Sequence, residues 1–358
     1  NAVLVISFIG FATKEVQVKG QSNLDITLLE STAGLEEVVV VGYGTTKKSD
    51  LTGSVSSIKS STIENRPISN IADVFQGNAA GVSVNSIGGS PGSDAQIRIR
   101  GIGSINSGVD PLYVVDGLPY DGALNSINAY DIKSIEVLKD ASSTAIYGSR
   151  GANGVVLITT KRGADSKVQM DYNLTSGLQQ PRKKIALLTG IPYAEYINEA
   201  FTNSGQPAPY SAADIASIHN NGKGTDWQDE FFRPAPVQSH QLSARGGGEN
   251  VKFYLSANYL NQDGIIESSG FEKFSLRANL DVYLGNNFAM GNTLAISRQL
   301  NSEVEAHASG RDNEGNTNVV YSALVGDPTA PARDSNGNLA TETFIGINPG
   351  DFQNPLSL

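Results

Sequence analysis

From about Asp165 onward the chain alternates apolar and polar residues over stretches longer than ordinary strands. In EKFSLRANLDVYL, Phe274, Leu276, Ala278, Leu280, Val282 and Leu284 fall on one face, and Lys273, Ser275, Arg277, Asn279 and Asp281 on the other. Successive side chains of a strand point to opposite sides. VKFYLSANYLN puts Val251, Phe253, Leu255, Ala257 and Tyr259 opposite Lys252, Tyr254, Ser256 and Asn258, and VQMDYNLTSG and NFAMGNTLAISRQL obey the same rule. Runs of about ten residues exceed the five or six of a typical globular strand. They match the ~9–11 of a transmembrane barrel strand, apolar outward and polar inward. Period alone leaves a second architecture open: a large soluble sandwich or lipocalin-like barrel with one wet face.

Composition agrees with a turn-rich β protein: 38 glycines, 14 prolines and only 17% charged residues. Lys and Arg number 26 against 36 Asp and Glu, a net charge of −10, which argues against a nucleic-acid binder with its basic face. Cysteine is absent, which excludes disulfides, thiolate metal sites and a cysteine nucleophile. No apolar run reaches the length of a transmembrane helix, and barrel strands would escape that test.

Before the long strands the chain has three further zones. Residues 1–30 hold three expected short strands, with turns at Gly10 and Gly20–Asn23, like the last part of a small β-sandwich. The opening NAVLVISFIGF reads as mid-strand, so residues upstream of Asn1 are expected. Residues 35–48 contain four consecutive valines, Val38–Val41, between Glu36–Glu37 and a polar tail, an apparently lone strand. Residues 49–163 mix helix and strand. SNIADVFQGNAAG predicts a helix capped by Ser69 or Asn70 and stopped by Gly81. VSVNS and AQIRIRG alternate as strands, and PLYVVDGLPY predicts a strand ending in an Asp116–Gly117 turn. NAYDIKSIEVLKDASSTAIYGSRGANGVVLITTKRG predicts short helix, strand, short helix, Gly-rich turn and strand.

Chemistry-bearing motifs are few. His219, His240 and His307 are far apart and in no metal-ligand spacing. GSRGANG (Gly148, Gly151, Gly154) precedes a strand instead of opening a helix, against a dinucleotide loop. RDNEGN and RDSNGN echo calcium loops but lack the twelfth-position glutamate, and Asn336–Gly337 reads as a tight turn. No catalytic residues, cofactor or metal are expected. Arg98 and Arg100 sit two apart on one strand face, either solvated or meeting carboxylates of a surrounding wall as specific, separable bidentate pairs.

Taken together, LEEVVVVGYGTTKKSDLTGSVSS, SDAQIRIRGIGSIN, DPLYVVDGLPY and DIKSIEVLKDASSTAIYGSRGANGVVLITTKRG resemble the SusC/RagA family of TonB-dependent outer-membrane transporters of Bacteroidetes. GTDWQDEFFRPAPVQSHQLSARGGGENVKFYLSANYLNQDGII resembles that family's early barrel hairpin. The resemblance implies a mixed α/β plug inside a 22-stranded antiparallel transmembrane barrel, preceded by the end of a carboxypeptidase-regulatory-like sandwich. Residues 1–30 would be that sandwich, 35–48 the TonB box and linker, 49–163 the plug and 164–358 the start of the barrel. Fewer than two hundred residues follow Gly163, enough for about five to eight strands, and an open edge in lipid is forbidden. The sequence is therefore expected to be an internal piece of a protein of about a thousand residues.

The resemblance implies active import of a large oligosaccharide or oligopeptide across the outer membrane. Expected partners are TonB with its ExbB/ExbD energy supply, a SusD-like surface lipoprotein and outer-membrane lipid. Glu37, Val38, Val39, Val40, Val41, Gly42 and Tyr43 would couple to TonB, an unpaired strand adding to the partner's sheet edge. Arg98 and Arg100 would anchor plug to wall. Gly101, Asp116, Gly117, Asp140, Tyr147, Gly148, Gly151, Asn153 and Gly154 would shape the plug through turns and caps, and Ser104, Asn106, Asp121 and Asn125 would face cargo. Other classes remain: a receptor that signals to an anti-sigma factor, and a non-transport β-rich binding or structural protein. An enzyme is disfavoured because no nucleophile–base or metal constellation is present.

Overall fold

The computed structural model describes residues 2–6, 14–18, 26, 38–41, 44–47, 55–64, 70–86, 89–101, 108–220, 224–285, 287–304, 319–334, 336–340, 354 and 356. Contacts divide the chain into two units: Asn1–Ser57, Ile102–Tyr120 and Ile135–Thr159 form one, and Ile58–Gly101, Asp121–Ser134 and Thr160–Leu358 the other.

The first unit opens with two hairpins. Strand β1 (Ala2–Ile6) runs antiparallel to β2 (Lys14–Val18); apart from Ile26, the expected third strand lies outside the described residues. β3 (Val38–Val41) is not the lone strand that its sequence surroundings suggest. It pairs antiparallel with β4 (Gly44–Lys47), Val38 opposite Lys47 and Val41 opposite Gly44. The polar tail thus supplies a partner strand: Thr45 and Thr46 are β-branched, and closing so short a loop costs little entropy. Glu37, Gly42 and Tyr43 lie outside the described residues.

The next strands are β5 (Val55–Lys59), β6 (Val82–Ser86), β7 (Ala95–Ile99), β8 (Leu112–Val115), β9 (Leu118–Tyr120), β10 (Ile132–Leu138) and β11 (Val155–Thr160). Five of them make a sheet ordered β5-β10-β11-β8-β9, with β11 parallel to β8. Its core is Leu112, Val114, Leu138, Val155 and Leu157, closed by Val55 and Tyr147. The β8–β9 hairpin turns at Asp116 and Gly117, both at positive φ (49° and 88°), the geometry that an Asp-Gly pair favours.

Turns shape the rest of this unit. Asp140 starts helix α2 (Ala141–Thr144; α1 is Ser60–Glu64), its carbonyl accepting from the Ser143 and Thr144 amides at 3.0 and 3.1 Å. Gly148 breaks the following 3-10 segment at φ 60°, ψ −144°. Gly154, at φ 94°, bonds back to the Gly151 carbonyl at 3.0 Å, and Asn153 Nδ2 donates to the Gly108 carbonyl at 2.7 Å.

In the second unit β6 and β7 form an antiparallel hairpin. The helix expected over 69–81 shrinks to a 3-10 turn, Ile71–Val74. The Asn70 cap is present, accepting from the Ala72 amide at 2.9 Å, but Gly77 and Gly81 take positive φ (76° and 72°) and end any helix.

The unit's main feature is an antiparallel sheet in chain order: β12 (Ser166–Gln179), β13 (Ala235–Gly247), β14 (Val251–Asp263), β15 (Gly270–Leu284) and β16 (Phe288–Ser302). Its polarity is inverted. Gln241, Asn258, Lys273, Arg277 and Asn279 are buried, whereas Leu255, Leu276, Leu280, Leu294 and Ile296 are exposed. Register aligns the exposed face into rows, such as Tyr172–Leu242–Ala257–Leu276–Ile296 and Met170–Ala244–Leu255–Ala278–Leu294. Further rows run through Phe253–Leu280, Val251–Val282–Met290 and Leu284–Phe288, while a row holding His240, Tyr259, Phe274 and Arg298 bounds the other end. Five rows of two residues each, at ~3.4 Å per residue and a tilt near 40°, give a band of about 25 Å, the height of a barrel's lipid-facing belt.

Helices α3 (Gly190–Asn203), α4 (Ala212–Asn220) and α5 (Trp227–Phe231) occupy the β12–β13 connection, and α6 (Val319–Val325) follows β16. Trp227, Phe231, Ala323 and Ala330 form one small core there, and Ala194, Tyr210 and Ile218 another. Arg333 bridges to Leu339 around Gly337 at φ 85°, the turn expected at Asn336–Gly337. Among the described residues no helix is long and apolar enough to cross a membrane.

Ala at Gly117 would meet open space, so Gly117→Ala isolates backbone strain. It should cost ~1 kcal/mol, read as a lowered unfolding midpoint.

Candidate functional site

The buried polar face of the β12–β16 sheet needs partners, since a buried polar group left unpaired is costly. Residues 121–134 supply them. Two 3-10 turns, Leu124–Ser126 and Ala129–Asp131, are joined through Asn128, whose side chain caps the second turn at Tyr130 N. These turns present Asn125, Asn128, Tyr130 and Asp131 together immediately before β10.

Asp131 is the centre. Its Oδ1 accepts from Tyr254 Oη at 2.9 Å and Gln241 Nε2 at 3.5 Å, and its Oδ2 lies 3.6 Å from Arg277 Nε. Its backbone carbonyl accepts from Lys161 N at 2.8 Å. Asn128 Nδ2 donates to Gln241 Oε1 at 2.8 Å, Lys273 Nζ to the Asn125 carbonyl at 2.9 Å, and Asn279 Nδ2 to the Lys161 carbonyl at 2.7 Å. Tyr130 Oη lies 3.3 Å from Thr175 Oγ1. Asp131 is 3% exposed and Lys273 5%, so a carboxylate on the turn segment neutralises cations on the sheet within a shielded interior.

Close approach completes the seat. A β-carbon at Gly92 would fall 2.1 Å from the Phe271 ring, and one at Gly163 would fall 2.3 Å from Phe253 N. Only glycine permits these contacts. Asn125 also braces the Gly92 loop, its Nδ2 donating to the carbonyls of Gly92 and Ser93 at 3.0 and 3.1 Å.

Arg98 and Arg100, expected on one strand face, take different backbone settings. Arg98 lies in β7 and donates to Gln96 Oε1 on its own strand at 2.6 Å. Arg100 falls beyond the strand's end at φ 59°, followed by Gly101 at φ 92°, so the two do not share one strand face. The seat reverses the expected polarity: the carboxylate stands on the turn segment and the cations on the sheet. Of the residues expected to face cargo, Ser104 and Asn106 lie outside the described residues, Asp121 is exposed, and Asn125 is 5% exposed and committed to the seat. Sequence reasoning missed Asp131. The available signal was the set of polar residues on the inner face of β15, Lys273, Arg277 and Asn279, which require a buried complement. Among the described residues no cluster of His, Asp and Glu is arranged to hold a metal.

A mixed sheet and a seat formed against the polar side of long two-faced strands define a plug-and-wall protein. Residues 47–155 match the family described as TonB-dependent Receptor Plug Domain. TonB-dependent receptor P26 of Formosa agariphila is 44% identical over 294 residues, covering 81% of this chain and 29% of the relative. TonB-dependent receptor SusC of Bacteroides thetaiotaomicron is 40% identical over 287 residues, covering 78% and 27%. Among solved structures, the RagAB peptide importer in its open-open state superposes with a TM-score of 0.71 at 27% identity, over 87% of this chain and 37% of that one. The chain belongs to the SusC/RagA family of TonB-dependent receptors, and it spans about a third of the length of these curated relatives.

Removing one partner of a buried ion pair costs about 3–5 kcal/mol because the other charge is stranded. Asp131→Ala should therefore loosen the seat, measured as faster amide exchange across 121–134. Asp131→Ala with Arg277→Met should restore more than half of the lost protection.

Proposed function

We propose that this chain is the plug and first wall strands of a transporter that actively imports a large oligosaccharide or oligopeptide across the outer membrane. The observation carrying this reading is the inverted sheet. A surface of Leu, Ile, Val, Met and Phe faces outward over a band of about 25 Å, the span of a barrel's apolar belt, while charged and amide side chains line the inside. A soluble sheet would bury the opposite face. In lipid, every backbone polar group needs a partner and no edge can stay open. The five strands thus belong to a closed barrel, taken as 22-stranded by family, with residues 49–163 as its plug and 164–358 as the start of its wall.

Family membership supports the energy source and the companions. Residues 37–43 couple to TonB, itself driven by ExbB/ExbD, and a SusD-like lipoprotein covers the outer mouth. Strand addition suits the coupling step, because backbone hydrogen bonds give affinity without a shaped pocket. The seat around Asp131 suits reversible opening: buried ion pairs give a specific fit but little net stability against water. Pulling therefore needs to break a polar seat that the water-filled lumen can solvate, without unfolding the apolar core around Leu138 and Leu157.

Deleting residues 36–43 should abolish uptake while leaving surface abundance unchanged. Persisting uptake at normal abundance would remove the coupling role from this segment.

A further inference from the structure

The inward positions of β15 are met in order by short pieces of chain. Gly92 lies against the Phe271 ring, the Asn125 carbonyl accepts from Lys273 Nζ, and Asp131 pairs with Arg277. Further along, the Lys161 carbonyl accepts from Asn279 Nδ2 and Arg162 pairs with Asp281. Segment 121–131 thus covers one stretch of this face and segment 160–163 the next. Their fastenings differ. Segment 160–163 is held by its backbone. The Lys161 carbonyl lies 2.7 Å from Asn279 Nδ2, and a β-carbon at Gly163 would fall 2.3 Å from Phe253 N and 2.7 Å from the Lys252 carbonyl carbon. Arg162 adds its ion pair with Asp281 at 2.9 Å. Covalent geometry also limits it: β12 begins at Ser166, and the three residues from Gly163 reach at most ~11 Å. Segment 121–131 lies far ahead of Ser166 in the chain and has no such tether. Its fastenings run through side chains at separate rows: Asn128 to Gln241 at 2.8 Å, Asp131 to Tyr254 at 2.9 Å and Lys273 to the Asn125 carbonyl at 2.9 Å.

We propose that residues 160–163 are a fixed hinge, and that the seat opens from one end: segment 121–131 lifts off β13, β14 and β15 while 160–163 stays on β14 and β15. The bond from Lys161 N to the Asp131 carbonyl, 2.8 Å long, marks the junction between the moving and the fixed piece. One-ended opening breaks the side-chain contacts row by row, so no single step has to strip the whole face at once, and water can take up each freed group in turn. The fixed end also governs closure. A segment anchored beside its own landing rows searches a small volume, so it returns to the same register at little entropic cost. The glycine at 163 has a reason in this scheme, since any side chain there would hold the hinge away from the β14 backbone.

The inference rests on the import reading, and its test needs neither cargo nor TonB. This chain contains no cysteine, so a single introduced thiol reports on one place. Ser275 sits between Lys273 and Arg277, under segment 121–131, and is 6% exposed; Asn279 sits under Lys161 and is 1% exposed. Full-length receptor in detergent, otherwise free of cysteine, carries either Ser275→Cys or Asn279→Cys and is treated with N-ethylmaleimide in urea well below the midpoint of global unfolding. The Ser275→Cys thiol should react at least ~10-fold faster than the Asn279→Cys thiol. Asn279→Cys removes one bond of the hinge, so it works against this result. Asp131→Ala should speed the Ser275→Cys reaction and leave the Asn279→Cys reaction unchanged. Amide exchange of the unsubstituted receptor gives a second measure: 125–131 should exchange before 161–163. Equal rates at the two thiols, faster reaction at Asn279→Cys, or simultaneous exchange of the two segments would overturn the hinge. Any of these in a receptor whose uptake still depends on residues 36–43 refutes the hinge alone, whereas uptake that survives that deletion refutes the coupling reading and leaves the labelling result standing.

Discussion

A strand with one apolar and one polar face is stable only between two unlike media, and the β12–β16 sheet imposes this condition on everything around it. Its hydrogen-bonding side chains are turned inward, where nothing apolar can satisfy them. Its Leu, Ile and Phe side chains are turned outward, where water would penalise them at roughly 25 cal/mol per Å² of apolar surface. The sheet therefore has no core of its own in the ordinary sense. Its interior is completed by residues 121–134 and by the Gly92 loop, whose polar and small residues meet it at hydrogen-bond distance.

The seat holds a polar interior together through hydrogen bonds and an ion pair in place of apolar packing. Asp131, Asn128 and Asn125 meet Tyr254, Gln241, Arg277 and Lys273 with specific geometry. A leucine-rich contact of the same area would bind in any of several registers and resist opening into water. Charged and amide groups accept one arrangement, and water replaces them at modest cost once the arrangement is broken. The apolar sheet of the first unit, built on Leu112, Val114, Leu138, Val155 and Leu157, follows the opposite rule and resists disassembly.

Much of this was legible in the sequence. The period-two runs gave the wall strands and the orientation of their faces, Asp116–Gly117 gave its hairpin, and Asn70 gave its cap. The missed features share a cause: each depends on neighbours distant in the chain or on backbone angles that residue type does not fix. The 69–81 helix lost to Gly77, which takes a positive φ inside the expected span. Arg98 and Arg100 do not share a strand face because Arg100 leaves the strand at φ 59°. Asp131 had no local mark at all, being one acidic residue among 36 Asp and Glu. Its role appears only when β13, β14 and β15 are folded against it.

The β3–β4 hairpin also bears on the life of the protein before assembly. Four successive valines with both edges open would be a template for unwanted strand pairing in any crowded compartment. Pairing with Gly44–Lys47 covers one edge with a short polar strand ending in lysine, so the segment reaches its destination with half of its stickiness already spent on itself.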